Sequence, residues 1–313
     1  MKRSFILGAA CLGMILLGMV SAVSVENPIA VGAGITCKGI SYPSIQAAVN
    51  AAMPGAVIQI AAGRYEENVV IDKPLTLEGT GEGDAVLHAQ NPEHPAVLIQ
   101  KAGSVTISHL VITGAKIAIQ VEGSCVNLHD NTIIVDEIGV QAWNFERSES
   151  FLCGNTFSGS IHAQTGQEFT MQGTGLILLG SSSWTIGNNC FQKLATGLLL
   201  GGAAHVQVKA NEVIRNGNGI IVGANAVGTL ANNDIVDNYN NGVILSDAAR
   251  VELLKNTIHG NGGWGVSLSG SPLCGLNPAF TGEVSGRANH IAENAKGNLC
   301  PATYQWPEEF IAP

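Results

Sequence analysis

Two carboxylates recur in this chain at a fixed interval. Glu212 and Asp234 each directly follow an Asn, and 22 residues separate them. Arg215 and Asp237 repeat the same interval three residues further on. If the backbone repeats its shape at this period, equivalent side chains stack ~4.8 Å apart, the spacing of neighbouring strands. Two ionised carboxylates at that separation repel each other, which raises one pKa or recruits a cation, and paired carboxylates at similar distances hydrolyse glycosides.

Three interpretations of this acidic group stay open: catalysis, contact with a cation or a sugar, and a solvated surface without function. The last is the usual state of exposed charges on a protein surface. Ca²⁺ is the cation that such oxygen ligands suit, and the sequence requires no other cofactor. Trp264 is added as a candidate ligand contact because it precedes Gly265 at a turn, whereas Trp184 falls at an inward position.

A second group contains histidine. His109 and Asp130 occupy equivalent positions in successive repeats, and His129 lies beside them in sequence. A His–Asp pair can perform acid–base chemistry, but such a pair is far more often a surface hydrogen bond. The other histidines are scattered, with only His88 and His94 closely spaced, so no metal site is expected.

The elements that position these residues come from an internal repeat. An Asn recurs mostly every 22 to 24 residues, with an apolar residue two positions after it and another three positions before it. A Gly followed by apolar-x-apolar marks a second register. The Asn positions are Asn131, Asn155, Asn189, Asn211, Asn233 and Asn256, with Leu110 in the same place one repeat earlier. Alternation in such short pieces predicts strands with one buried face.

A repeat of this length with three short strands predicts one triangular turn of a parallel β-helix. Asn suits its bends because it tolerates left-handed backbone, and stacked amides can hydrogen-bond to one another. Asn216, Asn238 and Asn261 predict a second such column. The competing fold is the leucine-rich repeat, whose return leg is helical or extended. Here the return legs NGNGIIV and NNGVIL are short, glycine-rich and alternating.

Both ends of such a stack need caps, because open strand edges invite pairing with other chains. The stretch SIQAAVNAAM predicts a capping helix over 44–53, with Ser44 as N-cap. The predicted organisation is a signal peptide over 1–22, an N-terminal segment over 23–43, the β-helix with its capping helix over 44–271, and a C-terminal cap over 272–313.

Cysteine usage allows disulfides in an exported chain. Cys274 and Cys300 both lie in the predicted C-terminal cap and are the predicted pair. The pairing of the remaining cysteines stays open: Cys37, Cys125, Cys153 and Cys190.

The N-terminus and the net charge indicate where the protein acts. MKR, an apolar run to Val20 and small residues before Val23 predict a cleaved signal peptide. The run is short for a membrane span, and Gly8 disfavours a lipoprotein anchor at Cys11. Secretion, or a periplasmic or cell-surface location, is therefore expected, without stable membrane insertion. The net charge of −9 argues against nucleic-acid binding, and an acidic polysaccharide would need local positive charge.

The segment SIQAAVNAAMPGAVIQIAAGRYEENVVIDKPLTLEGTG and the later N-x-I…G-I-x-V units resemble the pectin-lyase-like right-handed parallel β-helix repeat family. The resemblance covers nearly all of residues 40–270 and implies that fold without selecting an activity. Gly63-Arg64-Tyr65-Glu66 resembles pectin methylesterases, but their Asp-Phe-Ile-Phe-Gly stretch is absent. The stretch 128–131 lacks the leading Asp and the Pro of alginate-epimerase-like Asp-Pro-His-Asp.

Resemblance to periplasmic copper-maturation β-helices of the NosD type is weak. Copper favours Met or Cys ligands, and three of the five Met lie in the predicted signal peptide.

The sequence therefore predicts a non-catalytic exported β-helix that binds a glycan or another surface polymer along its flank, or that serves as an envelope structural module. The alternative is a polysaccharide lyase or hydrolase with a divergent active site. A long interval between Asn155 and Asn189 indicates an insertion, and the resulting loop, 158–173, is the favoured wall of a ligand site. The ligand and the oligomeric state are not specified.

Overall fold

The computed structural model describes residues 34–143, 149–160, 171–269, 274 and 280–312. The predicted signal peptide lies outside these residues, as do most of the N-terminal segment and the central part of the loop 158–173. The described chain is a parallel β-solenoid of about nine turns with one short helix. The predicted fold, a right-handed parallel β-helix with an N-terminal capping helix, is confirmed.

Each turn contributes one short strand to each of three parallel sheets, here named A, B and C. Several long strands bend at a corner and serve two sheets.

Sheet A contains parts of β3 (Ala56–Glu66), β5 (Leu75–His88), β6 (Val97–Ser108) and β8 (Ile117–His129), then β11 (Glu149–Cys153), β14 (Ser183–Gly187), β17 (His205–Lys209), β20 (Val227–Ala231), β23 (Arg250–Leu254) and β26 (Glu283–Arg287). Sheet B contains the remainder of β3 and β5, then β7 (Leu110–Thr113), β9 (Thr132–Val135), β12 (Thr156–Gly159), β15 (Cys190–Gln192), β18 (Glu212–Ile214), β21 (Asp234–Val236), β24 (Thr257–His259) and β27 (His290–Ala292). Sheet C contains β4 (Val69–Ile71), the remainder of β6 and β8, then β10 (Ile138–Trp143), β13 (Thr174–Leu178), β16 (Thr196–Leu200), β19 (Asn218–Val222), β22 (Val243–Leu245), β25 (Trp264–Leu268) and β28 (Gly297–Cys300).

The interior is filled by columns of aliphatic side chains in register. In sheet A, Leu152 pairs with Ile186 and Ile186 with Val208, and all three are fully buried. The predicted inward position of Trp184 is confirmed: its side chain is buried, and its Nε1 donates to the Ser182 hydroxyl over 2.8 Å. Burial of whole columns removes apolar area from water in every turn, which stabilises the stack layer by layer.

The Asn column forms a continuous hydrogen-bonded ladder. Asn211 Nδ2 donates to Asn233 Oδ1 over 2.9 Å, and the Asn211 backbone N–H donates to the same oxygen over 3.0 Å. Asn233 repeats both bonds with Asn256, and Leu110 donates its backbone N–H to Asn131 Oδ1. A second ladder passes through Asn216, Asn238 and Asn261, as predicted. These bonds satisfy amides that would otherwise be buried without partners.

One of the two expected reasons for Asn at the bend, its tolerance of left-handed backbone, is wrong. The residues with left-handed backbone are those immediately before the ladder: His109, Asp130, Gly154, Asn188, Ala210, Asn232, Lys255 and Ala288. None of the described ladder Asn residues is among the residues with positive φ. Asn is therefore required for the hydrogen bonds of its side chain, and the sharp turn is made by its neighbour.

The N-terminal end is capped by helix α1 (Ile45–Ala51), inside the predicted 44–53. Ser44 is the N-cap, and its hydroxyl accepts from the Ala47 N–H over 3.0 Å. The Glu67 carboxylate accepts from the N–H groups of Ile45 and Gln46 over 2.7 and 3.0 Å, so three N–H groups at the start of the helix find partners. Strands β1 (Ile35–Cys37) and β2 (Ile40–Tyr42) form an antiparallel hairpin beside β3.

The far end differs from the predicted boundary at residue 271. Strands β26, β27 and β28 continue the three sheets for another turn, with Asn289 and Asn294 extending both ladders. The 33-residue interval before Asn289 hid this turn from the repeat analysis. The predicted disulfide Cys274–Cys300 is present. Beyond it, Phe310 is buried and its carbonyl accepts from Asn289 Nδ2, which ends the ladder.

Candidate functional site

The acidic group has the register that the repeat predicts. Glu212 pairs with Asp234 in adjacent strands of sheet B, and both side chains are exposed. Cys190 occupies the layer below Glu212 in the same outward column. Burial, and then the charge of Glu212, raise the pKa of the Cys190 thiol. Cys190 and Glu212 are therefore coupled electrostatically as well as stacked.

Arg215 and Asp237 lie on the bends that follow these strands, and both have left-handed backbone. Within the described residues, no ion pair shorter than 4.0 Å joins Arg215 to a carboxylate of this group. The described residues also contain no set of three or more His, Cys, Asp or Glu side chains placed to hold a metal ion. Ca²⁺ thus stays a prediction, without a pre-formed cage.

The histidine group does come together. Asp130 Oδ2 lies 3.0 Å from His129 Nδ1 and 4.0 Å from His109 Nε2, and the two imidazole rings meet edge to face at 5.7 Å. The group lies at the bend between sheets A and B. All three side chains are at least one-third exposed, so water competes for each hydrogen bond.

Trp264 begins β25 and is half-buried, with its ring over Gly297 of the next layer. A ring in that position contacts the stack with one face, and only its other side is available to a ligand. Trp264 lies in sheet C, across a corner from the acidic residues of sheet B, so the candidate residues do not form one compact cluster.

The structure reveals a further surface that the sequence reasoning missed. At the corner where sheet C turns toward sheet A, Trp143 and Leu179 are 41% and 38% exposed beside an open apolar hollow of about 480 Å³. We name this surface the corner shelf; its lining residues are Trp143, Leu179, Gly180, Ser181, Gly202 and Ala203.

The corner shelf exists because two successive turns place small residues at the same corner. The stretches LLGSS (178–182) and LGGAA (200–204) align there, and the Ala203 N–H donates to the Gly180 carbonyl. Gly202 has a φ of +66°, and a Cβ at this position would collide with the backbone of Gly180. The aligned small residues are the signal in the sequence that could have located the shelf.

The outer face of sheet C continues from the shelf as an uncharged strip. Its central outward column reads Gln120, Gln141, Ile177, Leu199, Ile221 and Ile244. Strands β13, β16, β19, β22 and β25 contain no Asp, Glu, Lys or Arg. In the same turns, sheets A and B carry the charged side chains, among them Lys209, Glu212 and Arg250. Charge is thus segregated by face.

Of the loop 158–173, residues 161–170 lie outside the described residues, so its predicted role as a wall of the ligand site stays a prediction. None of the helices in the described part of the chain has the length and hydropathy needed to span a membrane.

Comparison with known proteins gives one family match. A model described as "Periplasmic copper-binding protein (NosD)" matches residues 160–303, a little under half of the chain. The resemblance to NosD-type proteins, which was described as weak from the supply of Met and Cys ligands, was therefore understated. No curated protein matches the chain in sequence.

Three solved structures were compared with the fold, and the first supports it. A variant of the periplasmic alginate epimerase AlgG superposes with a TM-score of 0.53 at 14% identity, over 85% of this chain and 82% of that one. The mannuronan C-5 epimerase AlgE4 A-module of Azotobacter vinelandii matches with a TM-score of 0.35 at 15% identity, over 86% and 97%. An alginate lyase from a Paenibacillus species gives 0.34 at 16%, over 86% and 96%. These last two scores are too low to support an argument.

The chain therefore has the parallel β-helix fold that its sequence resemblance implied. The superposition establishes the fold. Because the sequence identity is low, the activity has to be argued from the residues of this chain.

The described residues within the match do not fit a copper centre, since they include no group of three or more His, Cys, Asp or Glu side chains placed to hold a metal ion. Cys274 and Cys300 are joined in a disulfide, and burial raises the pKa of the Cys190 thiol, which disfavours the thiolate form that a metal ligand takes. His205, His259 and His290 lie on three different strands. The His109–Asp130–His129 group lies outside the matched residues.

Proposed function

We propose that this protein is an exported, non-catalytic β-helix that binds a polysaccharide chain along its side. The observation that carries the proposal is the corner shelf, where the exposed ring of Trp143 borders an apolar hollow. A pyranose ring has a face of C–H groups that packs on an aromatic ring, and its hydroxyl groups need polar partners at the rim. Gln141 and Glu122, the strand neighbours of Trp143 on the same face, are such partners.

The repeat itself suits a polymer. Each turn of the stack presents its outward side chains ~4.8 Å from those of the next, so neighbouring layers offer similar contacts at regular spacing. A chain of identical sugar units can use such a surface over several layers. An isolated small molecule would use only one of them.

The acidic group is assigned a secondary role as a cation or sugar contact. Glu212 and Asp234 present exposed oxygens in adjacent layers, with Arg215, Asp237 and Trp264 at the neighbouring corner. Oxygen ligands of this kind suit Ca²⁺ or sugar hydroxyl groups.

Catalysis is the alternative function, as a lyase or hydrolase with a divergent active site. The group that favours it is His109–Asp130–His129, because a carboxylate that orients an imidazole supports acid–base chemistry. That group borders sheet A at the bend toward sheet B, whereas the shelf borders sheet A at the corner from sheet C. The binding surface and the acid–base group are therefore on different edges, which favours binding without turnover.

Export rests on the leader-like N-terminus. MKR followed by an apolar run has the pattern of a secretory signal, and the matching family is described as periplasmic. We place the protein in the periplasm or outside the cell.

The proposal is tested by binding of purified protein to a panel of polysaccharides, with the released reducing ends measured in parallel. Trp143→Ala is expected to weaken binding about tenfold, because loss of one aromatic packing surface costs about 1.5 kcal/mol. Phe151→Ala is the matched control: Phe151 is 43% exposed but lies on sheet A, so its removal should leave binding unchanged.

The same measurement on a Glu212→Gln/Asp234→Asn double variant tests the secondary contact. Equal losses in the Trp143 and Phe151 variants would remove the shelf from the proposal. Release of reducing ends by the wild type, lost in Asp130→Asn, would replace it with the enzymatic alternative.

A further inference from the structure

We infer that the ligand of the corner shelf and of sheet C is a neutral polysaccharide and not a polyuronate. This inference rests on the proposed function and adds the chemical class of the polymer. It starts from the segregation of charge, since the strip that leads from the shelf contains no ionisable side chain over five strands.

A polyanion would lose hydration on this surface without gaining a counter-charge. Desolvation of a carboxylate is strongly unfavourable when no partner compensates it. The part-exposed column above Gln141 consists of Ile177, Leu199 and Ile221. Such side chains can pack against C–H groups, but they cannot pair with a uronate.

Two described carboxylates lie in register with the shelf, and their sign is wrong for a uronate. The strand partner of Trp143 is Glu122, whose carboxylate accepts from Gln120 Nε2 over 2.6 Å. Glu149 begins the next strand of sheet A after Trp143. With a net charge of −9, the long-range field of the protein also repels a polyanion.

The upper end of the strip is already covered. The outward column continues from Ile244 through Ser267 to Cys300, which are 5%, 0% and 1% exposed, and Cys300 is bonded to Cys274. The surface open to a ligand therefore runs from the shelf to Ile221 and ends below the disulfide. This length limits the contact to a short run of sugar units.

The test is a charge-reversal pair at Ala203, which is exposed and lines the shelf. Ala203→Lys and Ala203→Glu add side chains of comparable length and opposite sign. Both are titrated with a neutral β-glucan, a galactomannan, alginate and polygalacturonate, at low and at high ionic strength.

A neutral ligand predicts binding of a neutral polymer that is insensitive to salt, with the Lys and Glu variants weakened within about twofold of each other. Alginate or polygalacturonate binding that requires Trp143, strengthens in Ala203→Lys and weakens in Ala203→Glu would overturn the inference and leave the proposed function intact. Absence of binding to all four polymers would overturn both. A concentration-dependent dimer, detected by sedimentation and abolished by Leu199→Lys, would also overturn both. In that case sheet C would be the interface between two copies of the chain.

Discussion

At the scale of single residues, the neighbours of a side chain in an outward column influence its pKa. Glu212 has Cys190 below it and Asp234 above it in the outward column of sheet B. The thiol responds to this neighbour, since burial and the carboxylate both disfavour the thiolate. The thiolate fraction of Cys190 at neutral pH is therefore smaller than that of a cysteine in a flexible loop.

Alkylation of Cys190 should report this coupling. The raised pKa means that the thiolate fraction at neutral pH is below that of a free cysteine, so alkylation is slow and accelerates only at alkaline pH. Glu212→Gln removes the second cause of the shift and is expected to move the pH–rate profile toward lower pH. Burial remains, so part of the shift persists. Asp234→Asn, one layer further away, is the control, and an equal shift in both variants would contradict the stacking.

At the scale of structural elements, two neighbouring residues have different roles at each bend between sheets A and B. The first takes the left-handed backbone and faces solvent, and its identity varies among His, Asp, Gly, Asn, Ala and Lys. The second is the buried Asn, whose Oδ1 accepts two hydrogen bonds from the layer before it. The non-Gly residues at the first position all have φ between 52° and 56°, so the backbone bends in the same way in each of these turns.

Asn233→Ala should destabilise the protein strongly. It leaves the buried Asn211 amide and backbone N–H without their shared acceptor, at a cost of about 2–4 kcal/mol. The measurement is chemical denaturation followed by circular dichroism.

Asn232→Ala is the matched control for this substitution, because Ala210 and Ala288 already occupy equivalent bend positions. Its cost should stay near or below about 1 kcal/mol. A similar loss in both variants would mean that the ladder does not carry the stability assigned to it.

At the scale of the whole molecule, the stack is closed differently at its two ends. Helix α1 covers the N-terminal turn and is anchored by Glu67. The far end is closed by the disulfide and by a cluster of Phe280, Tyr304, Trp306 and Phe310, with successive ring centroids 5.0–6.3 Å apart. Both caps protect strand edges that would otherwise pair with other chains.

Removal of the disulfide should loosen the C-terminal turn. Cys274 and Cys300 are 26 residues apart, and a closed loop of that length is worth about 3 kcal/mol in the chain-entropy account. Cys274→Ser/Cys300→Ser is expected to lower the thermal midpoint, and a reducing agent should reproduce the shift in the wild type. A further shift when reductant is added to the double variant would show that another cause is at work.

The sequence by itself determined the fold, the inward columns, both Asn ladders, the N-cap at Ser44 and the Cys274–Cys300 pair. These features are fixed by local periodicity or by short spacing, so they can be read along the chain. It misplaced the C-terminal boundary because a 33-residue turn interrupts the period, and one of its two reasons for Asn at the bend, the left-handed backbone, is wrong. Only the tertiary structure revealed the Glu67 cap, the corner shelf and the uncharged face of sheet C. Each depends on contacts between residues of different turns, and those contacts form only when the chain folds into the solenoid.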